Sequence, residues 1–198
     1  DMDGLRKVPD NIPNDQVLKD NLGKPLTNIP DPFKKFNSFG EHNNEMLKDF
    51  LNKFKFKFTF KSSTENYKKG VFNKSLIRVA EKYEDVMNII LPTLREERRK
   101  TYCPFLPICP KTGRVLEIPL LEIDNKTGKA IFDNKGEKIE TNILDGNCKL
   151  QWKVDWAMRW FTFDVDFEMY GKDLTESAIL SNKICKALGK NPPNGFAY

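Results

Sequence analysis

The segment Phe54-Lys55-Phe56-Lys57-Phe58-Thr59-Phe60 constrains this chain more than any other. Strict alternation of phenyl rings with Lys or Thr has the two-residue period of a β-strand, in which successive side chains point to opposite faces. The pattern predicts a strand with one apolar, buried face and one basic, exposed face. Before it, a helical pattern from Asn43 carries Met46, Leu47, Phe50 and Leu51 on one side. After it, a short helix is expected between residues 62 and 70, opened by a Ser/Thr cap with Glu65 nearby.

Elsewhere the punctuation is local. Pro9, Pro13, Pro25, Pro30 and Pro32 interrupt the first forty residues, leaving room for one short helix over residues 15–22 with Asn14 as its cap and Gly23 closing it. Leu76, Val79, Ala80, Tyr83, Val86, Met87 and Ile90 recur three and four apart. They predict one amphipathic helix over residues 73–91, ended by Pro92. A charged stub follows, then short β-type runs separated by Lys-Thr-Gly and Asn-Lys-Gly turns. These read as an antiparallel meander within about residues 101–144. Beyond Gly146 a helix over residues 155–161, a strand over 165–169 and a helix over 174–188 ended by Gly189 make an α/β unit of a parallel sheet.

With 198 residues, fifteen Phe and three Trp, the chain has enough apolar mass for a real core and one or two domains. The longest apolar run, around residues 89–91, is far too short for a membrane-spanning helix. The start, Asp1-Met2-Asp3-Gly4, has no secretory signal and no initiator Met, so the chain is expected to be a piece of something longer. A net charge of +5 is compatible with a nucleic-acid partner but identifies none. Cys103, Cys109, Cys148 and Cys185 read as reduced cytoplasmic thiols. The single histidine, His42, is read as an exposed loop residue without a Ser or Cys partner.

Two constellations have chemical content. At the strand-to-helix junction, Gly171 would let a ligand approach the backbone, and free N–H groups of the next helix would attract an anion. Asp173 would accept hydrogen bonds from sugar hydroxyls, or else merely cap the helix. The second cluster holds Trp152, Asp155, Trp156 and Trp160 within nine residues. Three indoles beside a carboxylate suit a cation, through cation–π contact and an ion pair. The alternatives are core packing for the rings and helix capping for Asp155. Zinc is not expected: Cys103, Cys109 and Cys148 make at most three ligands, and Thr112 stands where a Cys-x-x-Cys knuckle needs its second thiolate.

Four stretches taken together resemble the class I lysyl-tRNA synthetase family: residues 1–10 (DMDGLRKVPD), 102–110 (YCPFLPICP), 148–160 (CKLQWKVDWAMRW) and 170–177 (YGKDLTES). The similarity is greater to a bacterial branch than to the archaeal one, and it runs in order over essentially the whole chain. It implies an α/β fold: part of a Rossmann-type catalytic domain over residues 148–198, with residues 1–147 forming a loop and an inserted α+β subdomain that contains the meander. It implies activation of lysine by ATP, with Mg2+, and transfer to tRNA(Lys) in the cytoplasm, without a membrane partner.

By the same resemblance, Gly171 and Asp173 fall beside the ATP ribose, and Trp152, Asp155 and Trp156 at the lysine pocket. The class I signatures His-x-Gly-His and Lys-x-Ser-Lys-Ser do not occur in the sequence; the first is expected before Asp1 and the second after Tyr198. The fragment alone is therefore expected to be inactive, with no catalytic residue assigned to it. Leu174 stands where many relatives carry His after Gly-Lys-Asp, which argues against a His-based role there.

A non-enzymatic RNA-binding module is the alternative. Lys53, Lys55, Lys57 and Lys61 beside Phe residues, with the stub of Arg95, Arg98, Arg99 and Lys100, would grip phosphates. The same stub is the candidate tRNA contact of the synthetase reading.

Overall fold

The protein is described by a computed structural model covering all 198 residues, in which helices and strands are mixed. Two compact units are present, one made of Asp1–Lys69 with Ile108–Leu116 and the other of Gly70–Pro107 with Glu117–Tyr198.

In the first unit the prolines keep most of the opening forty residues out of regular structure. Leu5, Leu18, Ile29 and Phe39 nevertheless converge into a buried cluster, with Val8, Ile12, Leu22, Leu26 and Phe33 packed against it. Helix α1 (Asp15–Asp20) is present, but Asn14 does not cap it. Asn14 takes a left-handed φ of 53°, and its side-chain amide donates to the Pro32 carbonyl at 2.7 Å. Helix α3 (Ser63–Lys68) is capped as the sequence suggests, the Ser62 hydroxyl accepting from the Glu65 N–H.

Helix α2 (Phe39–Lys53) starts four residues before the expected Asn43, because the Ser38 hydroxyl accepts from the Glu41 N–H at 3.0 Å. That earlier start overturns the reading of His42 as an exposed loop residue. Its ring is buried in the first turn of α2, stacked on Phe33 at 4.5 Å, with Nδ1 3.1 Å from the Asp31 carboxylate. Gly40 is what admits the turn: a Cβ there would lie 2.8 Å from the Thr27 side chain and backbone nitrogen.

The alternating Phe segment does not form the strand that its pattern predicts. The chain leaves α2 through Lys55, at a φ of 57°, and runs unpaired to Phe60. Phe54, Phe56 and Phe58 are exposed rather than buried. A strand is stable only with a ladder partner and a covered face, and no segment of these 198 residues supplies either.

The second unit opens with α4 (Asn73–Glu81) and α5 (Tyr83–Ile90) where one continuous helix was expected. Lys82 breaks it, at φ −101° and ψ 21°. The two halves pack on different neighbours, α4 on α7 (Trp152–Phe163) and α5 on α8 (Thr175–Leu188), so the apolar periodicity survives the break while the axis does not. A four-residue helix, α6 (Glu96–Arg99), occupies the charged stub.

Strands β2 (Leu120–Ile123), β3 (Lys129–Asn134) and β4 (Glu137–Asn142) form the antiparallel meander. Strand β1 (Phe105–Pro107) stands outside it and pairs antiparallel with β5 (Cys148–Leu150). At the C-terminal end β6 (Phe167–Tyr170), α8 and β7 (Asn194–Ala197) make a parallel βαβ unit, with Tyr170 opposite Ala197. α7 lies against α8, and Gly189 closes α8 at a left-handed φ of 108°.

Candidate functional site

The parallel unit places the Gly-Lys-Asp element beyond the carboxyl end of β6, where open α/β sheets present ligands. Lys172–Leu174 form a single 3-10 turn before α8. Capping was one of the two roles open to Asp173, and it is not the one observed: neither the turn nor α8 receives a side-chain cap. The Asp173 carboxylate is exposed and engages no hydrogen bond or ion pair, which leaves its oxygens available to hydroxyl donors.

Gly171 has an ordinary extended backbone, so its role is steric rather than conformational. A Cβ on it would sit 2.5 Å from Asp173 Oδ1. The missing side chain is therefore the space into which the carboxylate folds. The N–H groups at this junction are less free than expected, because that of Lys172 donates to the Tyr198 carbonyl at 3.1 Å.

In α7 the three indoles lie four residues apart and share one face. Trp152 stacks on Trp156 (6.0 Å, 26°), which in turn tilts against Trp160 (4.9 Å). Their exposures separate their roles. Trp160 is buried, with its Nε1–H donating to Glu168, and belongs to the core. Trp156 is buried as well, while Trp152 exposes 41% of its surface. Lys153 Nζ lies 5.7 Å from the centre of the Trp152 ring, so that face already accommodates an ammonium group.

Asp155 lies inside the first turn of α7; the cap position belongs to Gln151. Its carboxylate is buried and 3.0 Å from Arg159 Nε, an ion pair whose N–H points too far off-line for a hydrogen bond. Any cationic ligand at Asp155 shares this carboxylate with Arg159. Helical i, i+4 spacing was the signal that could have marked Arg159 as its partner.

Tyr170, which immediately precedes Gly171, joins the two constellations. Its ring meets Trp156 edge-on at 5.7 Å (86°), and it packs over Gly195, where a Cβ would lie 2.7 Å from its hydroxyl. The Trp-rich face of α7 and the Gly171–Asp173 junction are thereby neighbours in one unit.

The stub of Arg95, Arg98, Arg99 and Lys100 has no contact with this site. Arg98 pairs with Glu117 at 2.5 Å, Arg99 donates to the Leu94 carbonyl, Lys100 is 4.0 Å from Glu96, and Arg95 is exposed. No group of three or more His, Cys, Asp or Glu side chains is arranged to hold a metal ion.

A family model described as "tRNA synthetases class I (K)" matches residues 1–198, the whole chain. The chain belongs to the class I lysine tRNA synthetase family. Among curated relatives of this family, it is 52% identical to the lysine–tRNA ligase of Rickettsia bellii (strain RML369-C). It is 51% identical to the lysine–tRNA ligases of Rickettsia felis and Rickettsia prowazekii. Each alignment covers 100% of this chain and 38% of the relative, so the chain spans well under half the length of the curated relatives it matches.

Proposed function

We propose that this chain is an internal part of a lysine–tRNA ligase that activates lysine with ATP and transfers the lysyl group to tRNA(Lys). The observation that carries the reading is the Trp156–Tyr170 contact. Activation requires the lysine carboxylate to attack the α-phosphate of ATP in line, forming lysyl-adenylate as pyrophosphate leaves. Amino acid and nucleotide must therefore be held side by side, and positioning of this kind supplies much of the rate.

On this reading residues 148–198 belong to the second half of a Rossmann-type nucleotide fold. Residues 1–147 comprise a loop and an inserted α+β subdomain. Gly171 and Asp173 hold the ribose, the carboxylate accepting from its hydroxyls. Trp152 offers its exposed ring face to the lysine ammonium, Trp156 backs that ring, and Asp155, shared with Arg159, supplies negative charge. Arg95, Arg98, Arg99 and Lys100 face tRNA phosphates.

Bound with the ATP phosphates, Mg2+ would neutralise part of their charge. The side chains present form no cage for it or for zinc, so neither is assigned a protein-held site here. No helix is long and apolar enough to cross a membrane, and the proposed setting is the cytoplasm, where tRNA and ATP meet. A stand-alone RNA-binding module is the weaker reading, because the family model that matches residues 1–198 is that of a synthetase.

The test is lysine-dependent exchange of labelled pyrophosphate into ATP, run on the protein from the full reading frame and on the 198-residue chain. Exchange by the former and none by the latter agrees with the proposal. Exchange that ignores lysine, or exchange by the 198 residues alone, contradicts it.

A further inference from the structure

The Phe-rich segment over residues 54–60 is the most conspicuous feature of the first unit that the proposed chemistry does not use. Lys57, Phe58, Thr59 and Phe60 make no backbone hydrogen bond, neither donating an N–H nor accepting at a carbonyl. A run whose backbone groups are all unpaired is a template for an added strand. The side chains are equally unfinished. Phe50 and Phe54 touch at 4.8 Å and Phe54 and Phe56 at 6.5 Å, so the exposed side of α2 continues into the segment as one apolar patch. Met46 and Leu47 add to that side of α2, exposed by 60% and 49%. A patch this continuous on a soluble unit marks an interface.

We infer that residues 56–60 form a β-strand in the complete protein, paired with a strand from the portion that the curated relatives carry beyond the matched 38%, with the Phe side and the apolar face of α2 covered by the same added layer. The inference rests on the synthetase reading, in which the protein is longer than this chain. A strand is the occupant that meets both deficits at once: its backbone fills the open ladder, and its neighbours bury the phenyl rings. Single-stranded RNA would stack on the rings and meet the lysines but leave the backbone groups unpaired. Ser62, capping α3 two residues after Phe60, gives the strand-then-helix order that a sheet of this kind uses.

Amide hydrogen exchange at Lys57, Phe58, Thr59 and Phe60 tests this, comparing the full reading frame with the 198-residue chain, first without RNA and then with tRNA added. The expected result is near-unstructured rates in the 198 residues and slowing by about 100-fold or more in the full protein. Equal rates in the two overturn the inference. So does protection in the 198-residue chain that rises with its concentration, which would assign the edge to a second copy, or protection that appears only on adding tRNA. Pyrophosphate exchange on the same preparation keeps the two claims apart. An active protein with unprotected amides overturns the strand alone, whereas a lysine-independent protein with protected amides supports the strand and overturns only the enzymatic reading.

Discussion

Trp156 and Tyr170 meet edge to face at 5.7 Å, and that contact ties the indole ladder of α7 to the carboxyl end of β6. Trp156 also touches Trp152 and Trp160, so it is the hub of four rings. Trp156→Ala should lower the stability of the unit by about 3–5 kcal/mol, the usual cost of removing a large buried ring. Urea denaturation followed by circular dichroism measures it; a loss under about 1 kcal/mol would show that the ladder is not part of the core.

Gly171→Ala should separate binding from folding. Its backbone suits any residue, and the clash falls on an exposed carboxylate that is free to swing away. The melting temperature should stay within a few degrees of wild type while the KM for ATP in the full protein rises. An unchanged KM would remove the Asp173 rotamer from the site.

Acid should loosen the first unit through Asp31. Burial pushes its carboxyl upward, but hydrogen bonds from His42 and from the N–H groups of Lys35, Phe33 and Phe36 outweigh it and hold it below the usual carboxylate range. A depressed folded-state pKa stabilises above the unfolded value of about 3.9, and that contribution is lost as pH falls through the folded one. Asp31→Asn should cost about 1–3 kcal/mol at neutral pH, with the gap to wild type closing below about pH 4. A pH-independent gap in urea titrations at pH 3 and pH 7 would contradict this.

Cys109 should be alkylated before the other thiols. Its hydrogen bond from Thr112, with support from the N–H groups of Thr112 and Lys111, favours the thiolate, and the side chain is partly exposed. Burial pushes Cys103 up to about 12 and raises Cys148 and Cys185 as well. Limited iodoacetamide treatment with peptide mass mapping should give one dominant adduct; equal labelling of all four would refute the assignment.

What was legible in the sequence was local. The Ser62 cap of α3, Gly189 at the end of α8 and the turns between β2, β3 and β4 depend on residues within a few positions of each other, and they appear where the spacing puts them. The early start of α2 was also written there, as Ser38 three residues before Glu41, the Ser-x-x-Glu spacing of a capping box, although the carboxylate accepts from the Asn37 N–H rather than from that of Ser38. That start puts His42 in the helix, while its burial beside Asp31 and Phe33 is a tertiary contact.

Pairings across distance were not legible. The alternation over residues 54–60 states a preference for a strand, but only a partner can make one. The union of β1 with β5, forty residues on, and of β6 with β7 is set by the core and not by period. At the site, the residue types at Gly171, Asp173, Trp152 and Trp156 were visible, whereas the Arg159 contact with Asp155 and the linking role of Tyr170 are properties of the fold.

On the proposed function, the exposed face of Trp152 and the carboxylate of Asp173 serve two different ligands at one site. Steady-state pyrophosphate exchange by the full protein carrying Trp152→Ala or Asp173→Asn is the decisive measurement. Trp152→Ala should raise the KM for lysine roughly tenfold and leave that for ATP unchanged, the loss of one desolvated cation–π contact. Asp173→Asn should raise the KM for ATP by about 10- to 100-fold and leave that for lysine unchanged, the loss of charged hydrogen bonds to the ribose. If both substitutions leave both constants at wild-type values, or if each moves the other ligand, the site described here is not where lysine meets ATP.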